Sequence, residues 1–242
     1  MNKGKKIILI VAISIVVLAG ILFAVLYSNG LSVIHNHTEP QDGQIKVACV
    51  GDSITYGHGI SRWAKNNYPA QLQGLLGDGY HVANFGHSGR TVSDNGDKPY
   101  SESEQYKLSL EYDADIIIFM LGTNDSKPEN WEDADTFVAE YEKMVNSYKE
   151  KNPDVRIILC TPTRAFYSDG KSEGKTNFDI QPSIVEQIKT RILTFAVLNG
   201  YECIDIYDVT YGHKDWFKKD NVHPNAAGAK AIAESVANKI NK

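Results

Sequence analysis

Ser53, His223 and Asp220 are the residue types needed for a nucleophile, its base and the acid that orients the base. Ser53 follows an apolar run and stands in a Gly51-Asp52-Ser53 turn, in which Asp52 is expected to bond the backbone. Asp220 precedes His223 by three residues near the C-terminus. A serine hydroxyl attacks a carbonyl carbon once a base takes its proton, and a carboxylate usually holds that base in place. The pattern therefore indicates acyl transfer.

Acyl transfer also needs hydrogen-bond donors for the oxygen that becomes negative in the tetrahedral intermediate. The backbone N–H groups of Ser53 and Gly89 and the side-chain amide of Asn124 are candidates for this oxyanion site. A glycine at position 89 allows the backbone to approach a substrate without a Cβ in the way. Asp125, which follows Asn124, is interpreted as a residue that braces the loop.

The elements that would position these residues alternate along the chain. Short apolar runs predict strands, and runs with helical spacing follow them. This order predicts a parallel sheet with helices on both faces, and functional groups at the carboxyl ends of its strands. The predicted strands are 45–50, 80–85, 114–121, 155–161 and 201–206, and the predicted helices are 68–76, 103–110, 131–151, 183–198 and 226–240.

Four blocks of this sequence, in this order, resemble those of the SGNH (GDSL) hydrolases. They are Gly-Asp-Ser-Ile-Thr at 51–55, the segment that ends at Gly89, Gly-Thr-Asn-Asp around Asn124, and Asp-Asn-Val-His-Pro at 220–224. The resemblance covers nearly all of 45–242. It implies a flavodoxin-like three-layer α/β/α fold with a mainly five-stranded parallel sheet, and ester hydrolysis without a metal or organic cofactor. It also implies the same roles for the residues named above.

The N-terminus differs in character from the rest of the chain. Three lysines precede 21 uncharged, mostly apolar residues at 7–27, enough for a helix of ~31 Å that could cross a bilayer. We expect a transmembrane signal anchor over 1–27, a polar stalk over 28–44, and the hydrolase domain over 45–242. Because the lysines should stay in the cytoplasm, the catalytic domain would be extracellular on a single-pass anchor in the cell membrane. A cleaved signal peptide and a secreted enzyme is the alternative.

The charge balance bears on the partners. Three of the 25 basic residues and none of the 30 acidic residues lie before residue 28, so the remainder has 22 basic and 30 acidic groups, a net charge of −8. This balance argues against nucleic acid as a partner. Two of the three cysteines of an external protein could pair, but the odd number and the placement of Cys49, Cys160 and Cys203 in apolar runs favour buried small hydrophobic residues. His35 and His37 in the stalk could touch a metal, but we interpret them as part of a solvated linker.

The sequence indicates the substrate less directly than it indicates the reaction. Residues near the predicted sheet edge could line a pocket: His87, Arg90 and Trp63, with His58 and Tyr100. An external location and the resemblance to this esterase family together favour, as the substrate, a short acyl ester such as acetyl on a carbohydrate. A lysophospholipase-like or thioesterase-like hydrolase acting on lipid acyl groups is the alternative, and an anchored glycan-binding module without turnover is the third possibility.

Overall fold

The structure is a computed structural model that describes residues 3–28, 38–167 and 177–242. The strands are β1 (Ile45–Gly51), β2 (Tyr80–Gly86), β3 (Ile116–Met120), β4 (Arg156–Cys160) and β5 (Glu202–Ile204). The α-helices are α1 (Lys3–Ser28), α2 (Ser53–Tyr56), α3 (Trp63–Asn66), α4 (Tyr68–Leu76), α5 (Glu104–Glu111), α6 (Ala134–Lys151), α7 (Pro182–Asn199), α8 (Ile206–Val209) and α9 (Ala226–Ile240). Four 3₁₀ turns lie at Tyr100–Glu102, Asn124–Ser126, Asn177–Asp179 and Lys214–Trp216.

The five strands form one parallel sheet in the order β2-β1-β3-β4-β5. The chain moves outward from β1 to β2 and then returns past β1 to β3. The strand order therefore reverses beside β1, and ligands of open parallel sheets bind at such a switch point, beyond the carboxyl ends of the strands. The predicted α/β fold with a five-stranded parallel sheet is confirmed.

Alternate residues of each strand face opposite layers of helices. On one face, Val47 and Cys49 of β1 pack in a cluster with residues of α4 and α9. On the other face, Ala48 and Val50 pack with residues of α6 and α7, and α5 contributes partly buried side chains. The strand β3 is buried along its whole length, because both of its faces are covered. The sheet is thus the middle layer of a three-layer fold.

The predicted element bounds agree with the structure where the chain carries a strong local signal. The helices 68–76 and 226–240 have the predicted bounds, and each begins after an asparagine that accepts hydrogen bonds from the first turn. Helix α6 begins at Ala134, later than predicted, because the Asp133 carboxylate caps it. The observed strand β5 is shorter than the predicted strand 201–206, since a new helix begins at Ile206. The short helices α2, α3 and α8 were not predicted.

The N-terminal helix α1 is largely apolar. Its side chains are exposed from residue 4 to residue 25, and those of Leu26 and Tyr27 are partly buried. Its length and composition fit both a membrane span and a signal sequence. His35 and His37 lie outside the described residues. The second part of the expected stalk is not free of the domain, because the Thr38 hydroxyl lies 2.9 Å from Nε2 of His81 and the Gln44 side chain donates to the carbonyl of Asp78.

The three cysteines are unpaired. Cys49 and Cys160 are buried, whereas Cys203, on the edge strand β5, is only partly buried. The edge strand has a neighbour on one side alone, which explains the difference.

Close packing at the carboxyl end of the sheet places the first functional loop. A Cβ on Gly86, the last residue of β2, would lie 2.1 Å from the backbone nitrogen of Tyr56 in α2. The absence of a side chain at position 86 therefore lets α2 lie directly against the end of β2. This contact sets the position of Ser53, the first residue of α2.

Candidate active site

The structure brings Ser53, His223 and Asp220 into one hydrogen-bonded chain. The Ser53 Oγ lies 2.9 Å from Nε2 of His223, and Nδ1 of the same ring lies 3.0 Å from Oδ2 of Asp220. Ser53 and His223 are only 7 % and 6 % exposed. When Nδ1–H donates to the carboxylate, Nε2 has the lone pair that can accept the serine proton. The arrangement can therefore turn a serine hydroxyl into a nucleophile.

The Asp220 carboxylate is held by the loop that carries His223. Its Oδ1 accepts hydrogen bonds from the backbone N–H groups of Val222 at 3.1 Å and His223 at 2.9 Å. Burial disfavours the charged carboxylate, but these bonds and the imidazole outweigh burial and hold the pKa of Asp220 well below its usual range. The group facing the imidazole is therefore a carboxylate throughout the neutral range.

Asp52 shapes the turn on which Ser53 stands. Its Oδ1 accepts a hydrogen bond from the backbone N–H of Ile54 at 2.8 Å, which confirms the expected turn bond. Burial raises the pKa of Asp52 to about 7; hydrogen bonds from Ile54 and Thr123 oppose this rise, and the charge of Asp125 adds to it. The side chain next to the nucleophile is thus a buried carboxyl that ionises near neutral pH.

The three candidate oxyanion donors come from the ends of the first three strands. Asn124 follows β3, and its Nδ2 donates to the carbonyl of Arg90 at 3.0 Å and lies 3.4 Å from Oδ2 of Asp52. Gly89 follows β2 and has φ +80°, a conformation that favours glycine. Within the described parts of the chain, the backbone N–H groups of Ser53 and Gly89 have no hydrogen-bond acceptor. Both can therefore receive a ligand oxygen.

Hydrogen bonds of Asp125 and Asn130 hold the loop that carries Asn124. The buried carboxylate of Asp125 accepts hydrogen bonds from the backbone N–H groups of Val92 and Ser93, each at 2.9 Å. The side chain of Asn130 donates to the carbonyl of Asn124 at 2.9 Å. The predicted bracing role of Asp125 is confirmed, and Asn130 adds a support that the sequence analysis did not identify.

The residues suggested as pocket walls have different environments. Arg90 and His87 are half-buried, and the Arg90 Nη2 lies 3.3 Å from Nε2 of His87. Burial, together with the positive charges of Arg90 and Lys98, lowers the pKa of His87 to about 4, so its ring is neutral at neutral pH. The carbonyl of Arg90 also holds Asn124, as described above. These two residues remain candidates for substrate contact.

Trp63 and Tyr100 are held by contacts with other elements. Trp63 is 6 % exposed, its indole N–H donates to the carbonyl of Tyr56, and its ring packs against Tyr56 and Tyr27. Tyr100 is fully buried, with its hydroxyl donating to the carbonyl of Phe85. Both residues hold neighbouring elements together. Trp63 also lines a cavity with Tyr27 and Asn67, and its role in substrate binding stays a prediction.

Two residues beside the imidazole were not singled out from the sequence. The exposed ring of Phe178 stands edge-on to the ring of His223, with 5.2 Å between the centroids and an angle of 80° between the planes. The Lys218 Nζ lies 3.4 Å from Oδ2 of Asp220. His58, one of the suggested pocket residues, also lies here, with its ring centroid 5.0 Å from that of His223.

Within residues 3–28, 38–167 and 177–242, no three His, Cys, Asp or Glu side chains are close enough together to hold a metal ion.

Comparison with known proteins agrees with the blocks in the sequence. The sequence profile of the GDSL-like lipase/acylhydrolase family matches residues 49–231, which is most of the chain. The chain belongs to this family. The GDSL match spans the sheet from β1 and extends into α9, so it includes the loops that carry Ser53, Gly89, Asn124 and His223.

One relative of this GDSL protein is an acetylxylan esterase from Xylanibacter ruminicola, with 37 % identity over 218 residues and 82 % of this chain covered. The match covers 43 % of that relative, so the chain spans less than half of its length.

Solved structures share the GDSL fold. A carbohydrate acetylesterase from Sinorhizobium meliloti, Est24, has a TM-score of 0.67 and 19 % identity over 82 % of this chain and 99 % of its own. An aryl esterase from M. smegmatis has a TM-score of 0.65 and 15 % identity over 81 % of this chain and 98 % of its own.

Replacement of Asn124 by alanine tests the oxyanion site. Removal of one donor should lower kcat by ~10²–10³-fold with a smaller change in KM, since the bond forms mainly in the transition state. The measurement is steady-state hydrolysis of 4-nitrophenyl acetate. Asn241→Ala, at the exposed C-terminal end, is the control and should leave kcat unchanged. An Asn124→Ala variant with the kcat of the native chain would remove Asn124 from the site.

Asp52 should make stability depend on pH. An unfolded aspartate has a pKa of ~3.9, whereas Asp52 in the fold has a raised pKa of about 7. Between these values the folded chain binds the extra proton, so this contribution to stability is full below pH ~4 and is lost as the pH rises to ~7.

The melting temperature of Asp52→Asn should therefore fall less between pH 5 and pH 8 than that of the native chain. The asparagine oxygen can still accept the Ile54 N–H bond, so the turn is retained. Thermal melts at several pH values measure this difference. Two parallel curves would show that Asp52 does not take up this proton.

Proposed function

We propose that this protein is a serine ester hydrolase that removes short acyl groups, principally acetyl, from a carbohydrate. The observation that carries the proposal is the hydrogen-bonded chain of Ser53, His223 and Asp220. Membership of the GDSL-like lipase/acylhydrolase family supports the same reaction class.

The reaction proceeds through an acyl-enzyme. Nε2 of His223 takes the Ser53 proton as Oγ bonds to the ester carbonyl carbon, and the carbonyl oxygen becomes negative. The Ser53 and Gly89 N–H groups stabilise that oxygen, together with the Asn124 amide N–H that makes only the long 3.4 Å contact with Asp52. The imidazolium then returns its proton to the departing alcohol oxygen as the ester bond breaks. Asp220 stays ionised and stabilises the imidazolium.

Water completes the cycle by the same steps. His223 takes a proton from a water molecule as its oxygen attacks the acyl carbon on Ser53. The second tetrahedral intermediate collapses when the imidazolium returns the proton to Ser53 Oγ. Acetic acid and the free serine hydroxyl are the products, and no atom beyond those of ester and water is required.

Two observations support a sugar as the group that carries the acetyl ester. The Xylanibacter relative, at 37 % identity, is an acetylxylan esterase. Phe178 is 54 % exposed and stands beside the imidazole that protonates the departing alcohol. An exposed aromatic ring offers a flat apolar face to the C–H groups of a sugar ring. We therefore place the sugar against Phe178 and the acetyl group at Ser53.

The N-terminal helix supports a location at the cell membrane. An 18-residue stretch within Gly4–Ser28 has a mean hydropathy of 3.2 and follows the basic N-terminus, so α1 would span the membrane with the hydrolase domain outside. Cleavage after the helix would instead release a secreted enzyme. A membrane-spanning α1 also favours the second candidate function, hydrolysis of lipid acyl groups, because it would hold Ser53 near the bilayer.

Acyl length distinguishes the two candidate functions. The full chain in detergent should cleave 4-nitrophenyl acetate with a kcat/KM at least ~100-fold above that for the palmitate, and should release acetate from acetylated xylan. Ser53→Ala is the control for non-enzymatic hydrolysis. A preference for palmitate would support the lipid hydrolase, and native and Ser53→Ala chains that are equally inert would support a binding module.

Phe178→Leu tests the sugar contact. Loss of the ring should raise KM for an acetylated xylo-oligosaccharide about 5–10-fold with little change in kcat, a loss of roughly 1 kcal/mol of binding. Ethyl acetate has no ring to stack, so its kcat/KM should not change. Tyr211→Leu removes another exposed aromatic side chain and serves as the control. An equal loss on both substrates would mean that Phe178 supports the imidazole instead.

A further inference from the structure

Lys218 shares a carboxylate oxygen with the imidazole of His223. Its Nζ lies 3.4 Å from Oδ2 of Asp220, and the same oxygen lies 3.0 Å from Nδ1 of His223. The Lys218 and Asp220 side chains are 27 % and 18 % exposed, so solvent screens this ion pair less than one on the open surface. One carboxylate oxygen thus faces a fixed cation and a ring that becomes a cation during each turnover.

Lys218 also connects the two loops that carry the nucleophile and the base. Its Nζ donates to the carbonyl of His58 at 3.2 Å, and its backbone N–H donates to the carbonyl of His223 at 2.9 Å. His58 in turn donates its backbone N–H to the carbonyl of Ser53 at 2.9 Å. A single side chain therefore joins the loop after the nucleophile to the loop of the base, beside the Ser53–His223 bond.

Three titratable groups bear on the imidazole of His223 within the described residues: Asp220, Lys218 and His58. Burial, followed by the charges of His223 and Lys218, lowers the pKa of His58 to about 4, so that ring is neutral above pH ~5. From the turn at Asn177–Asp179 the neutral ring of Phe178 stands edge-on to the imidazole. The charges that act on the imidazole near neutral pH are those of Asp220 and Lys218.

These two charges have opposite effects on the base. The Asp220 carboxylate favours a protonated imidazole, whereas a second cation at the same oxygen disfavours it. A base that holds a proton before the substrate arrives cannot accept one from serine. Removal of the lysine charge should therefore favour the imidazolium and hinder the base.

We propose that Lys218 is a positioning residue of this site, one that divides the charge of Asp220 with His223, extends activity toward acid pH and ties the base loop to the nucleophile loop. This inference rests on the proposed serine ester hydrolase. No block of the family resemblance contains position 218, and the residue would act without touching the substrate.

The test compares pH profiles of kcat/KM for 4-nitrophenyl acetate in the full chain. Lys218→Met removes the charge at nearly constant length and should move the acid limb up by about one pH unit. Lys218→Arg keeps the charge and should restore the native profile. Lys219→Met is the matched control, because it removes an exposed neighbouring lysine, and its profile should follow that of the native chain. Lys218→Gln replaces the charged group by a neutral polar one and should shift the acid limb of the profile as Lys218→Met does.

An acid limb of Lys218→Gln or Lys218→Met that coincides with the native one would overturn the inference, as would an equal shift in Lys219→Met. Native and Ser53→Ala chains that are equally inert would instead disprove the proposed function. In that case, an NMR titration of the His223 ring carbon in native and Lys218→Gln chains replaces the rate measurement. A protonation midpoint unmoved by the substitution would then disprove the role of Lys218.

Discussion

The hydrogen bond between Ser53 Oγ and His223 Nε2 joins residues 170 positions apart in the chain. Its length depends on the whole fold, since Ser53 is placed by the end of β1 and His223 by the loop that leads into α9. The packing of α4 and α9 on one face of the sheet holds these two regions together. Close contact of α2 with Gly86 fixes the serine side of the bond. Any shift between these layers would separate nucleophile and base.

Two carboxyl groups flank that bond, and their surroundings give them opposite properties. Asp220 accepts two backbone N–H bonds and faces an imidazole, which keep its pKa low and the group charged. Asp52 is fully buried, and burial raises its pKa to about 7. The first is suited to stabilise an imidazolium, and the second is suited to hold a turn. The same residue type thus serves the chemistry in one place and the fold in the other.

Local signals predicted much of this structure, and long-range contacts account for the rest. The parallel sheet and the helices at 68–76 and 226–240 follow from periodicity and capping residues. The loops around Ser53, Asn124 and His223 follow from their place at strand and helix ends. The burial of Trp63 could not be predicted, because its partners Tyr27 and Tyr56 come from two other elements. Nor could the ion pair of Lys218, since a lysine in a loop is most often a solvated residue.

Covalent capture of the nucleophile tests the central claim most directly. A 4-nitrophenyl alkylphosphonate imitates the tetrahedral intermediate and bonds to a serine activated by a base. The account predicts one adduct per chain, located on Ser53 by peptide mass spectrometry, and a much slower reaction in His223→Ala. No adduct, or an adduct that forms on another residue at an unchanged rate in Ser53→Ala, would contradict it.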